Sequence, residues 1–218
     1  MIHSPPTGRR RIPRPLTERP DDEIGDLAAR VFPAEKQLAK IELAHRASLV
    51  LPQLTPTRKL RARSTLADYL RRCEAYNWLH DYTQARRYAG LGLRPEQRWN
   101  TDCSGYVGDG FYWIEHVLGI PIIDPLGYRF AGWGWTGSIL ETNRNHVVPL
   151  DHLFMVGDLA LYGESLARTE HVVICRAKGD ENTSIWSSNG RPAAPEPVRL
   201  LYRGSQNLLG VYRPESLL

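Results

Sequence analysis

Residues 102–118 read DCSGYVGDGFYWIEHVL and predict a long helix in the middle of the chain. Apolar side chains recur in this stretch at steps of four, three and four residues, at Val107, Phe111, Ile114 and Leu118. This spacing is typical of a helix that buries one face. Gly119 and Pro121 follow at once, and both residue types are typical of a helix end. The sequence therefore predicts a helix that opens at Cys103 and stops near Gly119.

Cys103 stands where a loop turns into this helix, a position that can make a thiol reactive. The unpaired backbone N–H groups of a helix N-terminus favour negative charge, so they lower the pKa of a thiol and can hold an oxyanion. Gly105 is expected to keep the first turn open to a substrate backbone. The spacing alone leaves one alternative open, namely a cysteine that starts a helix without any catalytic role.

A cysteine nucleophile needs a base, which is usually a histidine. Of the seven histidines, His171 is the best placed, because it begins the apolar segment HVVIC and follows a turn that contains glycine. A partly exposed histidine at a sheet edge is the alternative interpretation. A third polar group should orient the imidazole. Ser187, Ser188 or Asn189, at the end of the next segment TSIWSSN, can return beside His171.

The last third of the chain predicts an antiparallel sheet. Five short segments are rich in strand-forming residues and are separated by turn residues: DLALYG (158–163), EHVVICRA (170–177), TSIWSSN (183–189), VRLLYR (198–203) and LLGVYR (208–213). We predict that they form a meander. Because helices come first and strands second, the predicted fold class is α+β, with the Cys103 helix packed on the sheet.

The first part of the chain differs in character. Residues 1–20 hold five Pro and five Arg and predict a flexible arm. Residues 21–79 predict a helical extension, in which a basic linker over residues 52–63 precedes a helix that starts at Ser64 or the residue after it. The catalytic domain is predicted over residues 80–218.

Composition and charge exclude several classes of protein. Hydrophobic residues make up 42% and charged residues 24% of the 218 residues, so wholesale disorder is excluded. No apolar run approaches the roughly 20 residues of a membrane helix. Three cysteines do not build a disulfide framework. Nucleic-acid binding is not expected, because only the arm is strongly basic, and neither an H-E-x-x-H nor a C-x-x-C motif is present to predict a metal site.

The segments DCSGYV, GDLALYG and HVVIC, in this order, resemble the NlpC-type cell-wall peptidases, which are papain-like cysteine hydrolases related to CHAP amidases. The resemblance covers about residues 80–215. It implies a papain-like fold with Cys103 as the nucleophile and His171 as the base. It also implies that Gly157 and Asp158 stand at the start of the first core strand.

The same resemblance implies further site residues. The segment WSSNG is similar to one that supplies the third catalytic residue in relatives, which favours Asn189. Ser188 stays the alternative, because the turn after His171 is longer than in many members. The substrate-binding residues expected from the resemblance and its neighbouring segments are Asp102, Ser104, Tyr88, Trp133 and Trp135. The two tryptophans belong to an insertion over residues 127–137 that either lines the substrate groove or folds over as a hydrophobic lid.

The implied activity is hydrolysis of an amide bond in peptidoglycan stem peptides, without a metal or cofactor. Cys103 attacks the amide carbonyl, His171 moves the proton, and water then cleaves the thioester. Transfer of the acyl group to an amine would use the same residues. Cys175 is expected to be a buried, inert thiol.

The implied partner is the peptide part of peptidoglycan, and the expected place of action is the cell wall. The basic N-terminus lacks the apolar run of a secretory signal, so synthesis in the cytoplasm is expected. With the Arg-rich arm, this fits a viral lysin or a virion-associated wall hydrolase whose residues 21–79 dock particle or tail proteins. The alternative is a non-catalytic papain-like module that serves structure or docking. The presence of both Cys103 and His171 favours the enzyme.

Overall fold

The computed structural model of the chain describes residues 54–84, 94–127, 130, 134–190 and 195–218. These described residues belong to one compact unit. The predicted arm and the extension up to residue 53 lie outside them, as do Tyr88 and Trp133. No helix among the described residues is long and apolar enough to cross a membrane. The division of the chain into an extension and a catalytic domain stays a prediction.

The first described helix, α1, spans Pro56–Ala75. The linker predicted over residues 52–63 is wrong from Pro56 onward, and residues 52–53 lie outside the described residues. The predicted helix start at Ser64 is also wrong, because Thr55 caps the helix. The Thr55 hydroxyl accepts a hydrogen bond from the backbone N–H of Arg58 at 3.4 Å. Proline suits the first helical position because it has no N–H to leave unpaired there. The buried side chains of α1 are Ala62, Leu66, Tyr69, Leu70 and Cys73.

The helix predicted from residue 103 is confirmed, and this helix, α2, spans Cys103–Leu118. Asp102 caps its N-terminus, and Gly119 ends it in the left-handed conformation with a φ of 62°. The helices α1 and α2 pack against each other, with the ring centroids of Tyr69 and Trp113 5.6 Å apart. One hydrophobic core therefore contains both helices.

Three short elements flank α2. The strands β1, His80–Tyr82, and β2, Trp99–Thr101, pair in parallel. A third helix, α3, spans Thr136–Asn143. Because β2 ends two residues before Cys103, this strand fixes how the chain enters α2.

The last third of the chain forms a five-stranded antiparallel sheet, which confirms the predicted α+β class. Its strands are β3 Leu159–Ser165, β4 Arg168–Cys175, β5 Trp186–Ser188, β6 Glu196–Val198 and β7 Leu208–Tyr212. Their order is β6-β5-β4-β3-β7, so four strands form the predicted meander and β7 returns to pair with β3. The strand predicted over residues 198–203 is wrong after Val198, because residues 200–203 form a turn.

The helix α2 packs on one face of this sheet, as predicted. Alternate residues of a strand point to opposite faces. The side chains that join the helix core are Leu159, Leu161, Val172 and Ile174. Those that form a second cluster with Phe154 and Trp186 are Ala160, Tyr162, Val173 and Cys175. The hydroxyl of Tyr106 in α2 also lies 2.9 Å from the hydroxyl of Ser187 in β5. Packing and hydrogen bonding therefore fix α2 to the sheet.

Gly157 makes the turn that leads into β3. Its φ is 92°, a conformation that favours glycine, and a Cβ atom there would lie 2.3 Å from Cδ1 of Leu217. Arg63 of α1 donates hydrogen bonds to the carbonyl groups of Val156 and Leu217. The turn at Gly157 therefore ties α1 to the C-terminal residues.

Asp158 follows in the same turn and is fully buried. Its carboxylate accepts a hydrogen bond from the backbone N–H of Met155 at 2.8 Å. It also accepts two from the guanidinium of Arg213, at 2.7 and 2.8 Å. A buried charge with these partners fixes the start of β3 against the residue that follows β7.

Candidate active site

Cys103 is the first residue of α2, and its side chain is 4% exposed. Asp102 prepares this helix end, since its carboxylate accepts hydrogen bonds from the backbone N–H of Gly105 at 2.7 Å and from the hydroxyl of Ser104 at 3.0 Å. The positive end of the helix dipole therefore lies at the thiol, and it favours the thiolate form. The substrate-binding roles expected for Asp102 and Ser104 stay predictions, next to this observed capping role.

Gly105 has a structural role that differs from the one expected. A Cβ atom at this position would lie 2.0 Å from Oγ1 of Thr101, the last residue of β2. At Gly105 the first turn of α2 thus faces Thr101 of the same chain rather than a substrate. Glycine is needed here because β2 approaches the helix so closely.

Replacing Gly105 by Ala is expected to destabilise the chain by about 1–3 kcal/mol, the typical cost of an extra methyl group in packed space. The strand before Cys103 must move, so any reaction at Cys103 should slow as well. Adding Thr101→Ala removes the clashing oxygen and leaves Oδ1 of Asp102 at 3.3 Å and the Cβ atom of residue 101 at 3.4 Å. The double variant should therefore recover most of the loss. Urea unfolding of both single variants and the double variant measures this coupling. A double variant no more stable than Gly105→Ala would contradict this explanation of the glycine.

His171 lies in β4 and is 3% exposed. Its Nε2 atom lies 3.1 Å from the hydroxyl oxygen of Ser188. The ring contacts two tyrosines, with centroid distances of 6.1 Å to Tyr162 and 6.4 Å to Tyr202. Gly190 closes another side, where a Cβ atom would lie 3.2 Å from Cε1 of the imidazole. The ring is therefore held from several sides in one orientation.

Burial, together with the nearby positive charge of Arg203, lowers the pKa of His171 to about 3. At neutral pH the imidazole is consequently neutral. A neutral imidazole has one nitrogen with a hydrogen and one that can accept a proton. His171 thus has the protonation state that a general base needs.

Asn189 does not contact the imidazole. Its side-chain amide donates hydrogen bonds to the carbonyl oxygen of Thr101 at 3.0 Å and to that of Asp102 at 3.3 Å. Ser188, which the sequence analysis kept as the alternative third residue, is the residue whose side chain reaches His171. The two neighbouring residues therefore have separate partners.

Ser188 and Asn189 together connect the two candidate catalytic residues. Ser188 contacts His171, and Asn189 contacts the residue just before Cys103. Because Ser188 and Asn189 are consecutive in the chain, the loop that carries the thiol and the strand that carries the imidazole meet at the same end of β5. No pattern in the sequence indicates which of these two residues contacts His171 and which contacts the loop before Cys103.

Tyr202 is a residue of this site that the sequence analysis missed. Its hydroxyl oxygen lies 3.1 Å from that of Ser188, and its side chain is 39% exposed. Burial raises the pKa of Tyr202. The segment VRLLYR resembles a strand, and nothing in it marks Tyr202 as a site residue.

Of the three aromatic residues expected to bind substrate, Trp135 is the one that lies within the described residues. It directly precedes α3, where the hydroxyl of Ser138 donates to the carbonyl oxygen of Trp135 at 2.8 Å. The hydroxyl of the next residue, Thr136, donates a hydrogen bond to the hydroxyl oxygen of Thr169 in β4 at 2.8 Å. Trp135 thus begins a helix that is attached to the strand of His171. Its contact with substrate stays a prediction.

The other two cysteines lie in the hydrophobic cores. Burial raises the pKa of the thiols of Cys73 and Cys175, and Cys175 donates to the carbonyl oxygen of Ala177 at 2.9 Å. A thiol with a raised pKa holds little thiolate at neutral pH, so both are poor nucleophiles. Within the part of the chain that the structure describes, no group of three or more His, Cys, Asp or Glu side chains is placed to hold a metal ion.

No family model matches the chain, and no curated protein matches it. Among solved structures, the chain is similar to the peptidoglycan hydrolase RipB from Mycobacterium tuberculosis, with 18% sequence identity and a TM-score of 0.41. The similarity covers 89% of this chain and 90% of that one. At this identity and TM-score the similarity does not assign a family, so a functional assignment has to rest on the site residues themselves.

Proposed function

We propose that the chain is a cysteine hydrolase that cleaves an amide bond in peptidoglycan stem peptides, with Cys103 as the nucleophile and His171 as the base. The observation that carries this proposal is the link made by Ser188 and Asn189. These residues hold a buried neutral imidazole and the loop of a helix-terminal thiol at one place. The order of DCSGYV, GDLALYG and HVVIC supports the choice of substrate through its resemblance to NlpC-type peptidases.

The first half of the reaction forms a thioester. His171 takes the proton of Cys103 on Nδ1, because Ser188 is at Nε2. The sulfur then forms a bond to the amide carbonyl carbon, and the negative charge on the oxygen is stabilised by the N-terminus of α2. The carbon–nitrogen bond breaks as His171 gives its proton to the leaving amine.

The second half releases the acid. A water molecule gives a proton to His171 and attacks the thioester carbonyl, so that the carbon–sulfur bond breaks. The proton returns from His171 to the sulfur, and both residues regain their initial state. In this scheme Ser188 orients the imidazole, and Asn189 positions the loop that carries Cys103. Tyr88, Trp133 and Trp135, with Asp102 and Ser104, are the proposed contacts to the peptide.

A digest of purified peptidoglycan tests the proposal. The wild type should release fragments with new amine ends, which mass spectrometry identifies, and Cys103→Ala should release none. Cys175→Ala is the matched control, because it removes the same atom from a cysteine outside the site and should retain activity. Iodoacetamide at mildly acid pH should modify Cys103 much faster than Cys73 or Cys175.

If no protein releases fragments while all remain folded, and Cys103 is not modified selectively, the enzyme proposal is refuted. The non-catalytic structural or docking module would then be the better interpretation. Release by Cys103→Ala at the wild-type rate would equally refute Cys103 as the nucleophile.

A further inference from the structure

The hydroxyl of Ser188 has two partners in this site but only one hydrogen to give. Its oxygen lies 3.1 Å from Nε2 of His171 and 3.1 Å from the hydroxyl oxygen of Tyr202. If Ser188 accepts a hydrogen from one partner, it can donate its own to the other. The direction of this donation decides which nitrogen of the neutral imidazole carries the hydrogen.

The proposed reaction needs one of these two arrangements. Nδ1 of His171 must be bare in order to accept the thiol proton, so Nε2 must carry the hydrogen. Nε2 then donates to Ser188, and Ser188 donates to Tyr202. In the opposite arrangement Ser188 donates to Nε2, and the hydrogen on Nδ1 prevents the imidazole from acting as a base toward Cys103.

We propose that Tyr202 is a positioning residue that accepts the hydrogen of Ser188 and thereby keeps the proton of neutral His171 on Nε2. The inference rests on the proposed function, because only a base that serves Cys103 needs this tautomer. Without the Tyr202 oxygen, Ser188 loses this acceptor and turns toward Nε2. The wrong tautomer then becomes populated.

The contacts of Tyr202 suit this role. Tyr162 in β3 donates to the carbonyl oxygen of Leu200 at 2.5 Å, which anchors the turn that carries Tyr202. The rings of Tyr162 and Tyr202 also meet edge to face, 5.7 Å apart. Burial raises the pKa of Tyr202, so the phenol stays protonated at neutral pH. Since it is 39% exposed, its own hydrogen can be given to water while its oxygen accepts from Ser188.

The tautomer of His171 can be measured directly. In chains labelled with ¹⁵N-histidine, two-bond ¹⁵N–¹H correlations distinguish a hydrogen on Nε2 from one on Nδ1. The background is Cys103→Ala, in which no thiolate can hold a proton on the imidazole, and the signals of His171 are assigned by their loss in a further His171→Gln chain. The Cys103→Ala chain should show the Nε2–H tautomer. Adding Tyr202→Phe should produce a mixture with the Nδ1–H tautomer.

Two further variants in the same background control this measurement. Tyr112→Phe removes a hydroxyl from a tyrosine of α2 whose ring packs against His116 and Phe130, and it should leave the tautomer of His171 unchanged. Ser188→Ala removes the hydroxyl that links His171 to Tyr202, so it should also abolish the preference of His171 for the Nε2–H tautomer. The proposal can therefore be tested even if Tyr202→Phe does not fold. A pure Nε2–H tautomer in the Tyr202→Phe and Ser188→Ala chains, or an Nδ1–H tautomer in the background itself, would overturn the proposal.

Activity gives a second readout in chains that keep Cys103. Tyr202→Phe should lower kcat for peptidoglycan about 10-fold with little change in KM, because only the fraction of chains with the correct tautomer reacts. If the wild type digests peptidoglycan and Tyr202→Phe digests it equally fast, the inference about Tyr202 fails alone. If the wild type is inactive, the proposed function fails, whatever the tautomer is.

Discussion

A chain with His171→Gln should lose almost all hydrolytic activity and yet keep more of its stability in acid than the wild type does. Glutamine is polar and of similar size, but it cannot take the proton of Cys103. A positioned general base contributes about 10²–10⁴-fold to a rate, and we expect a loss of that size in the release of peptidoglycan fragments.

The greater stability of the His171→Gln chain at acid pH follows from the pKa of His171. Burial lowers this pKa to about 3 in the folded chain, and in the unfolded chain it is about 6.5. Between these values the unfolded chain binds a proton that the folded chain does not. The free energy of unfolding therefore falls as the pH drops from 6.5 toward 3. At pH 4, the lowered pKa of His171 should reduce the free energy of unfolding by about 3 kcal/mol. The His171→Gln chain should not show this reduction.

His80 provides the matched control. It is also buried, its ring stacks on that of Trp99 with centroids 4.1 Å apart, and burial lowers its pKa to about 4. His80→Gln should therefore weaken the pH dependence of stability while hydrolysis continues. Urea unfolding of the three chains at several pH values between 7 and 4 measures the effect. If His171→Gln lost stability in acid as steeply as the wild type, folding would not lower the pKa of His171, and the explanation by burial would be wrong.

The largest loss of stability is expected for Asp158→Asn. Asp158 is fully buried and pairs with Arg213, which is 24% exposed. The substitution leaves the arginine without its anion, and breaking a buried ion pair on one side typically costs about 3–5 kcal/mol. For a domain of this size, the midpoint of thermal unfolding should fall by on the order of 10 °C.

Glu164→Gln is the control for this prediction, because it removes the same charge from an exposed ion pair. Glu164 and Arg168 are 58% and 69% exposed, and such pairs contribute about 0–1 kcal/mol. Thermal unfolding should therefore change little. Equal shifts for the two variants would show that burial of the Asp158 pair has no special effect on stability.

Features of the fold that depend on neighbouring residues could be predicted from the sequence. The helix α2 has both its apolar spacing and its end signals within 20 consecutive residues, and the predicted start and end of this helix are confirmed. The helix α1 shows where a prediction from local sequence fails. The basic residues at its start suggested a linker, but Thr55 and Pro56 already form a helix N-terminus.

Features that depend on distant residues could not be predicted in this way. Asn189 reaches the carbonyl group of Thr101, which lies 88 residues earlier, and no local pattern encodes that contact. Adjacent residues of a strand point to opposite faces, so a shift of one residue decides whether Ser188 or Asn189 reaches His171. Tyr202 enters the site because its segment turns where the pattern predicts a strand.

The return of β7 to β3 also determines when the chain can fold during its synthesis. Arg63 binds the carbonyl group of Leu217, 154 residues further along the chain, and Asp158 needs Arg213. Contacts between such distant residues form slowly, and they cannot form while the later residues are still inside the ribosome. The core around Cys103 therefore closes only after residue 217 has emerged.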